Sequence, residues 1–172
     1  VKEELTLQSL VDLNILDSID KVEKTAEKAA KEFGIETALD KMEAAWEPVI
    51  LFVEMYKETG TSILKGVDEY MALLDEHIAM TQAMAFSAFK GPFEERIDNW
   101  NNSLAIVSEV IDEWIVLQRN WLDLQPIFDS ADIQKQLPQE SKRFTTVDKY
   151  WRTTMSAAIK QVKAIKFCDD VR

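Results

Sequence analysis

The side chains best suited to chemistry in this sequence are one histidine, one cysteine and many carboxylates. His77, in the stretch LLDEHIAMTQ, has the residue type of a general base or a metal ligand. With Cys168 as the only thiol, the chain cannot supply the paired ligands of a His/Cys zinc site. The paired Glu-x-x-His motifs of a di-iron helical bundle are also absent from the sequence. A structural role for His77 is therefore the favoured interpretation.

The carboxylates and glycines form no recognisable catalytic pattern. Neighbouring acids such as Asp75 and Glu76, or Asp112 and Glu113, are expected in a chain with 31 acidic residues, and a solvated helix face explains them. The nearest approach to a phosphate-binding loop is GTSILKGV from Gly60, but five residues separate its glycines and the lysine precedes the second glycine. We predict a hairpin turn there, and no catalytic, cofactor-binding or metal-binding residues in the chain.

The five tryptophans are candidates for a ligand cage or for packing. Three of them fall on a single helical stripe, which favours core residues or anchors for a partner over a cage. They are Trp46, Trp100, Trp114, Trp121 and Trp151.

Composition indicates which elements hold these residues and excludes several classes of protein. Only 4 Gly and 4 Pro stand against 47% hydrophobic and 30% charged residues, which is typical of long helices with few loops. The net charge of -11 repels nucleic-acid phosphates and anionic lipid. The longest apolar run, VILFV at residues 49–53, is far shorter than the roughly 20 residues of a membrane span. We expect no nucleic-acid partner and no membrane.

The cysteine count and the first residues predict the compartment and the context. A lone cysteine cannot form an internal disulfide, which fits the reducing cytoplasm. The opening VKEELTLQSL has neither an initiator methionine nor the features of a signal peptide. We expect the chain to be a piece of a longer cytoplasmic protein.

Two helical runs are predicted before Pro48. The first has apolar residues at three- and four-residue steps and is expected to end at Gly34, a favoured helix-terminating residue. The second, IETALDKMEAAW, is expected to stop before Pro48, because the residue preceding a proline is biased out of the helical region. The apolar positions of the first run are Ile15, Ile19, Val22, Ala26, Ala29 or Ala30, and Phe33.

A β-hairpin is predicted at about residues 49–64. PVILFVEMY is rich in β-branched and aromatic residues, KETG has turn chemistry that includes Gly60, and TSIL is again β-prone. A helix is the alternative for so short an apolar run, but Pro48 and Gly60 interrupt helices, and their positions around the run favour strands.

Helical periodicity resumes over residues 67–86 and stops at Gly91 and Pro92. A long helix follows, whose stripe is the strongest periodic signal in the chain. The first run carries Val67, Met71, Leu74, Ile78 and Thr81, and the long helix carries Ile97, Trp100, Leu104, Val107, Ile111, Trp114, Gln118, Trp121, Gln125 and Phe128.

Two prolines predict a corner after the long helix. Pro126 lacks an N–H and should stop or kink the helix near Gln125, whereas Pro138 suits the first turn of another long helix. The corner should be packed by Ile127, Phe128, Ile133 and Leu137. The last helix should bury Phe144, Val147, Trp151, Met155, Ala158, Val162 and Ile165.

The expected fold is therefore mainly α: an elongated array of long helices in bundle-like packing with one inserted β-hairpin. Its expected parts are a helical N-terminal part (1–47), the β-hairpin (48–66), a helical hairpin with the long helix (67–125), the corner (126–137) and a C-terminal long helix (138–172).

Residues 100–155 closely resemble the linker region of dynein heavy chains. The shared features are, in order, W-x-x-x-Q-x-x-W, P-I-F, D-I, L-P-x-E and V-D-x-x-W. Upstream, ALDKMEAAW, TGTSILKGVDE and LLDEHIAMTQAM are similar to the same region, so the resemblance covers about residues 35–155. PIF followed by SADIQKQLP and VDKYWR is more similar to axonemal than to cytoplasmic dyneins.

The resemblance implies a mechanical role and no enzyme activity in this chain alone. In dyneins the linker is a helical lever across a ring of ATPase modules, and ATP-driven changes in the ring move it in the power stroke along microtubules. The chain would be the N-terminal part of that lever in a ciliary or flagellar axoneme, with the motor ring, remaining linker and tail as partners. The alternative is a spectrin-like helical scaffold that binds partners through its tryptophans, although a three-helix repeat has no use for a hairpin.

Overall fold

The structure, a computed structural model, describes residues 6–171. Within that range the chain forms seven α-helices and one pair of β-strands, so the mainly α fold is confirmed. The helices are α1 (Leu7–Asp12), α2 (Ile19–Trp46), α3 (Val67–Ala85), α4 (Glu94–Phe128), α5 (Ala131–Gln136), α6 (Pro138–Lys160) and α7 (Ala164–Val171), and the strands are β1 (Phe52–Met55) and β2 (Ser62–Lys65).

The predicted β-hairpin is confirmed. β1 and β2 pair antiparallel, with Val53 opposite Leu64, and the backbone N–H of Tyr56 donates to the carbonyl of Thr61 at 2.9 Å to close the turn. Gly60 lies in that turn with φ +68°, a conformation that costs glycine little because it has no Cβ. The helical alternative for this segment is wrong.

The stripe of α4 forms the centre of the core, as its periodicity predicts. Seven of its ten positions are buried: Ile97, Trp100, Leu104, Val107, Ile111, Trp114 and Trp121. The helices α3 and α7 both pack on α4. Burying each large side chain of this kind contributes about 1.5–3 kcal/mol, so this stripe is a major part of the core.

The buried face of α3 is rotated from the predicted one. Leu74 and Thr81 are buried as expected, but Tyr70 and His77 take the positions predicted for Met71 and Ile78. Both runs have helical spacing, and on the face that is buried Nδ1 of His77 accepts a hydrogen bond from Trp46 of α2. In α6, Trp151, Met155 and Ala158 are buried as predicted, whereas Val147 is exposed, as is Val162 beyond the end of α6.

Gly34 does not end a helix, so that prediction is wrong. The helix α2 runs from Ile19 through Gly34 to Trp46 and stops before Pro48 as expected. A glycine inside a helix costs about 1 kcal/mol relative to alanine, which the hydrogen bonds of a long helix tolerate. The apolar stripe from Ile19 to Phe33 is exposed rather than buried.

The corner begins later than Pro126 predicts. The helix α4 continues to Phe128 with Pro126 inside its last turn, because the N–H of Asp129 still donates to Gln125 at 3.0 Å and only the proline's own bond is lost. Ile127 and Leu137 are exposed, so they do not pack the bend. Phe128 instead stacks on Phe144, with ring centroids 5.0 Å apart and planes at 16°. Pro138 begins α6 as expected.

The predicted single helix over 138–172 is two helices. The helix α6 ends at Lys160, and α7 begins at Ala164 after a break in which Gln161 is extended (φ -112°, ψ 88°). The reason is tertiary: the carbonyl of Val162 accepts a hydrogen bond from the N–H of Leu51 at 2.7 Å instead of serving a helix. Residue 172 lies outside the described range.

Candidate functional site

The structure concentrates specific polar contacts where the hairpin meets the helices. Three attachments fix it: its turn to α6, its second strand to α4, and its base to the break between α6 and α7. We refer to these attachments together as the hairpin joint, defined by the pairs Thr59 and Arg152, Leu64 and Gln118, and Leu51 and Val162.

The side chain of Gln118 binds the backbone of β2 as a neighbouring strand would. Its Nε2 donates to the carbonyl of Leu64 at 2.9 Å, and the N–H of Leu64 donates to its Oε1 at 2.7 Å. Leu64 is buried, so these two backbone groups would otherwise lack partners. Gln118, one of the two polar residues on the α4 stripe, thus fixes the hairpin to the longest helix.

A chain of hydrogen bonds joins the hairpin turn to α6 and α4. Nη1 of Arg152 donates to the carbonyl of Thr59 at 2.7 Å, and its Nε donates to Oδ2 of Asp148 at 2.7 Å. The other carboxylate oxygen of Asp148 accepts from Nε1 of Trp121 at 3.0 Å. Asp148 therefore holds the guanidinium and the indole in fixed positions relative to each other.

Aromatic rings pack beside this chain. The indoles of Trp121 and Trp151 are stacked, with centroids 5.2 Å apart and planes at 18°, and Tyr56 meets Trp121 edge to face at 5.8 Å. Both indoles are almost fully buried. Stacked and edge-to-face pairs of this kind contribute about 0.5–1.5 kcal/mol beyond the area they bury. Trp121 and Trp151 are therefore packing residues, as the helical stripe favours.

The base of the hairpin pairs with the helix break. Beside the bond from Leu51 to Val162, the N–H of Ala164 donates to the carbonyl of Val49 at 3.1 Å, and Ile50 and Lys163 form an antiparallel bridge. Nζ of Lys163 also pairs with the carboxylate of Glu47 at the end of α2. The loop before β1 and the break after α6 are thus one connected unit.

His77 has the structural role that the sequence favours. Its ring is buried, and its Nδ1 accepts a hydrogen bond from Nε1 of Trp46 at 2.9 Å. Burial lowers the pKa of His77 below its usual value, so the neutral ring with its proton on Nε2 is preferred. The carbonyl of His77 accepts from the hydroxyl of Thr81 at 2.7 Å.

The remaining candidates lie apart from one another. Asp75 and Glu76, like Asp112 and Glu113, are exposed on helices, and Cys168 is buried, which raises the pKa of its thiol to about 12. The GTSILKGV segment forms the hairpin turn and β2. Within residues 6–171, no three His, Cys, Asp or Glu side chains gather as a metal ligand set would.

Over residues 6–171, none of the helices has the length and apolar character needed to cross a bilayer.

The joint is a structural connection between the hairpin and the helices α4, α6 and α7. Two of its attachments join a side chain to backbone, the third joins two backbone groups, and Arg152 pairs with Asp148 on the same helix. Among the side chains of the joint, only Gln118 has a signal in the sequence, because it is a polar residue on an apolar stripe. Arg152 and Asp148 have no sequence signal beyond the i,i+4 spacing of an ordinary helix-surface ion pair.

Comparison with known proteins identifies the family. Residues 1–172 match the family described as dynein heavy chain, N-terminal region 2. Dynein axonemal heavy chain 1 of Rattus norvegicus is 48% identical over 171 residues, which is 99% of this chain and 4% of that protein. Dynein axonemal heavy chain 12 of Homo sapiens is 40% identical over 160 residues, which is 93% of this chain and 5% of that protein.

A third relative supports the same family assignment. Dynein axonemal heavy chain 3 of Mus musculus is 37% identical over 170 residues, covering 99% of this chain and 4% of that protein. The chain thus spans only about one twentieth of the length of the curated relatives it matches. On this family match and these identities, the chain belongs to the dynein heavy chain family, as an N-terminal region of an axonemal heavy chain.

Proposed function

We propose that this chain is part of the linker of an axonemal dynein heavy chain. In this role it is a lever segment that carries ATP-driven changes of the motor ring into the power stroke along microtubules. The chain itself hydrolyses no nucleotide, and the ATPase activity belongs to other parts of the heavy chain. Its partners are the motor ring, the remaining linker and the tail, and its location is the ciliary or flagellar axoneme.

The hairpin joint is the single observation that supports this proposal most. A lever must transmit displacement without yielding between its elements, and the joint ties the hairpin to α4, to α6 and to the start of α7. The contacts are hydrogen bonds with buried aromatic packing beside them, and a packed interior has low compressibility. A displacement of α6 is therefore passed to α4 and is not absorbed between them.

A spectrin-like scaffold is disfavoured by the same observation. In a scaffold built from a three-helix repeat, helices alone would supply the packing. Here the hairpin lies between helices, and it uses polar groups of α4 and α6 that would otherwise face other helices or solvent.

The test is a pair of substitutions in the intact heavy chain. Gln118→Ala together with Arg152→Ala removes two of the three attachments of the hairpin and leaves the ring untouched. We expect ATP hydrolysis to stay within about twofold of the unmodified motor, while microtubule gliding slows several-fold. Both activities are measured on the same preparation, below the temperature at which the variant begins to unfold.

A matched control uses the same residue types outside the joint. Gln125→Ala lies one heptad further along α4, and Arg143→Ala lies on the exposed surface of α6. This control should glide at the unmodified speed. Equal gliding speeds for the test and control variants, with equal ATPase rates, would contradict the lever role of the joint.

A further inference from the structure

The helix α2 has two apolar faces on opposite sides. Its C-terminal half buries one face against the rest of the domain, consisting of Ile35, Leu39, Met42 and Trp46. Its N-terminal half carries a second stripe, consisting of Ile19, Val22, Ala26, Ala30 and Phe33, and every member of this stripe is exposed. Phe33 exposes 67% of its surface and Ile19 exposes 52%.

Helical geometry places the two stripes roughly 170° apart, at 100° of rotation per residue. The positions of the N-terminal half that continue the buried face are polar, among them Lys21, Lys28 and Glu32. The change of face occurs at Gly34, where the helix continues without a break. The bundle that covers Leu39 and Trp46 therefore cannot also cover the exposed stripe, which needs a partner on the other side.

The stripe has the chemistry of a helix-packing surface. Alanines at its centre allow a close approach of two helix axes, and Ile19 and Phe33 at its ends are large enough to fill the grooves of a partner. The charges beside it are balanced, with four acidic and four basic residues between Asp20 and Glu32. Such a surface favours an amphipathic helix over a nucleic acid or an anionic lipid surface.

We propose that the stripe from Ile19 to Phe33 docks a helix of the same heavy chain that lies outside residues 1–172. The family relatives are about twenty times longer than this chain, so the heavy chain holds ample further sequence. A helix in the same polypeptide is held at high effective concentration, whereas a separate partner must also offset the loss of its translational freedom. The helix α2 would then be shared by two packing units, with Gly34 at their boundary.

Further exposed apolar residues lie just before α2 in the sequence. Leu13 and Leu16 expose 69% and 72% of their surfaces. Apolar patches beyond a few hundred Å² are rare on the surfaces of monomeric proteins and mark interaction sites. The concentration of such residues in one part of the chain fits a docking surface better than scattered surface residues.

The first test measures accessibility in the intact heavy chain. Val22→Cys and Phe33→Cys report on the stripe, and Lys21→Cys and Lys28→Cys report on the opposite, polar face. The rate of maleimide labelling of each peptide is followed by mass spectrometry. We expect the stripe positions to react at least tenfold more slowly than the polar positions. Equal rates on both faces, whether fast or slow, would overturn docking at this face.

The second test identifies the occupant. A photoreactive benzoylphenylalanine at position 33 of the intact heavy chain should crosslink to a peptide of the same molecule outside residues 1–172. Mixing isotopically light and heavy motors separates the alternatives, because a mixed crosslink would mean a second copy. A mixed crosslink, or a crosslink to any other polypeptide, would overturn the proposal. Neither test depends on gliding speed, so a failure here leaves the lever role to be decided separately.

Discussion

The indole N–H of Trp46 donates to Nδ1 of His77 at 2.9 Å, and the two rings meet edge to face with centroids 6.5 Å apart. This contact joins the end of α2 to the middle of α3 inside the core. It requires an unprotonated Nδ1, because a doubly protonated imidazole has no acceptor. The stability of this part of the domain is therefore linked to the protonation of His77.

We predict that the domain loses stability as the pH falls below about 6.5, the ordinary pKa of histidine in an unfolded chain. Burial lowers the pKa of His77 in the folded state, so the unfolded chain binds more protons in the interval between the two pKa values. The contribution of neutral His77 to the free energy of unfolding is complete above that interval. It is lost as the pH falls through the interval, by at most about 1.4 kcal/mol per pH unit.

The measurement is urea denaturation at several pH values between about 5.5 and 7, a range that avoids most carboxylate titration. The control is His77→Gln, whose side-chain oxygen can accept from Trp46 but does not titrate. Its free energy of unfolding should be flat over this range. An equal slope in both proteins would show that another group is responsible.

We predict that Trp121→Ala destabilises the domain by about 3–5 kcal/mol, and Trp114→Ala by a similar amount. Both indoles are buried one heptad apart on α4, and removing either leaves a large cavity. Phe86→Ala is the matched control, because Phe86 exposes 91% of its surface and its truncation should cost less than about 0.5 kcal/mol. Thermal midpoints close to that of the control would show that the tryptophans are not core residues.

We predict that Gln118→Ala weakens the hairpin by about 1–3 kcal/mol, because the N–H and carbonyl of Leu64 lose their partners in a buried position. Amide hydrogen exchange of Leu64 should accelerate in this variant. Gln118→Glu should also weaken the hairpin, because its second carboxylate oxygen would face the carbonyl of Leu64 and cannot donate a hydrogen bond to it. Unchanged exchange at Leu64 in both variants would argue that Gln118 does not hold the strand.

We predict that Pro126→Ala stabilises α4 by up to about 3 kcal/mol. The proline lies inside the last turn of the helix, where alanine would restore a backbone hydrogen bond to Leu122 and remove a steric clash. Chemical denaturation gives the comparison, and Pro138→Ala at the first turn of α6 is the control, because that position needs no N–H. A gain at Pro138 equal to that at Pro126 would contradict this explanation.

Local patterns were sufficient to predict several elements. The stripe of α4 repeats over many turns, so chance matches are rare, and the hairpin is bounded by Pro48 and Gly66. The start of α6 at Pro138 was predictable because proline fits the first turn of a helix. These features depend on interactions between residues close in sequence.

The joint itself was not predictable in this way. Gln118 meets Leu64 across 54 positions, and Arg152 meets Thr59 across 93, so neither contact leaves a periodic signal. The break after Lys160 has no proline or glycine, and it exists because the base of the hairpin takes the backbone groups of Val162 and Ala164. Predictions from a single glycine or proline were also wrong at Gly34 and Pro126. At both positions the surrounding helix continues past the residue that was expected to end it.

The spacing of the hairpin's attachments determines how it would fail under force. Arg152 and Val162 bind the hairpin near opposite ends of its length, and both follow the movement of α6. If α6 slides along its axis, both attachments are strained at the same moment, and the load divides between them. A geometry loaded in shear ruptures at a higher force than one that peels a bond at a time. The hairpin would thus resist sliding of α6 along its own axis relative to α4.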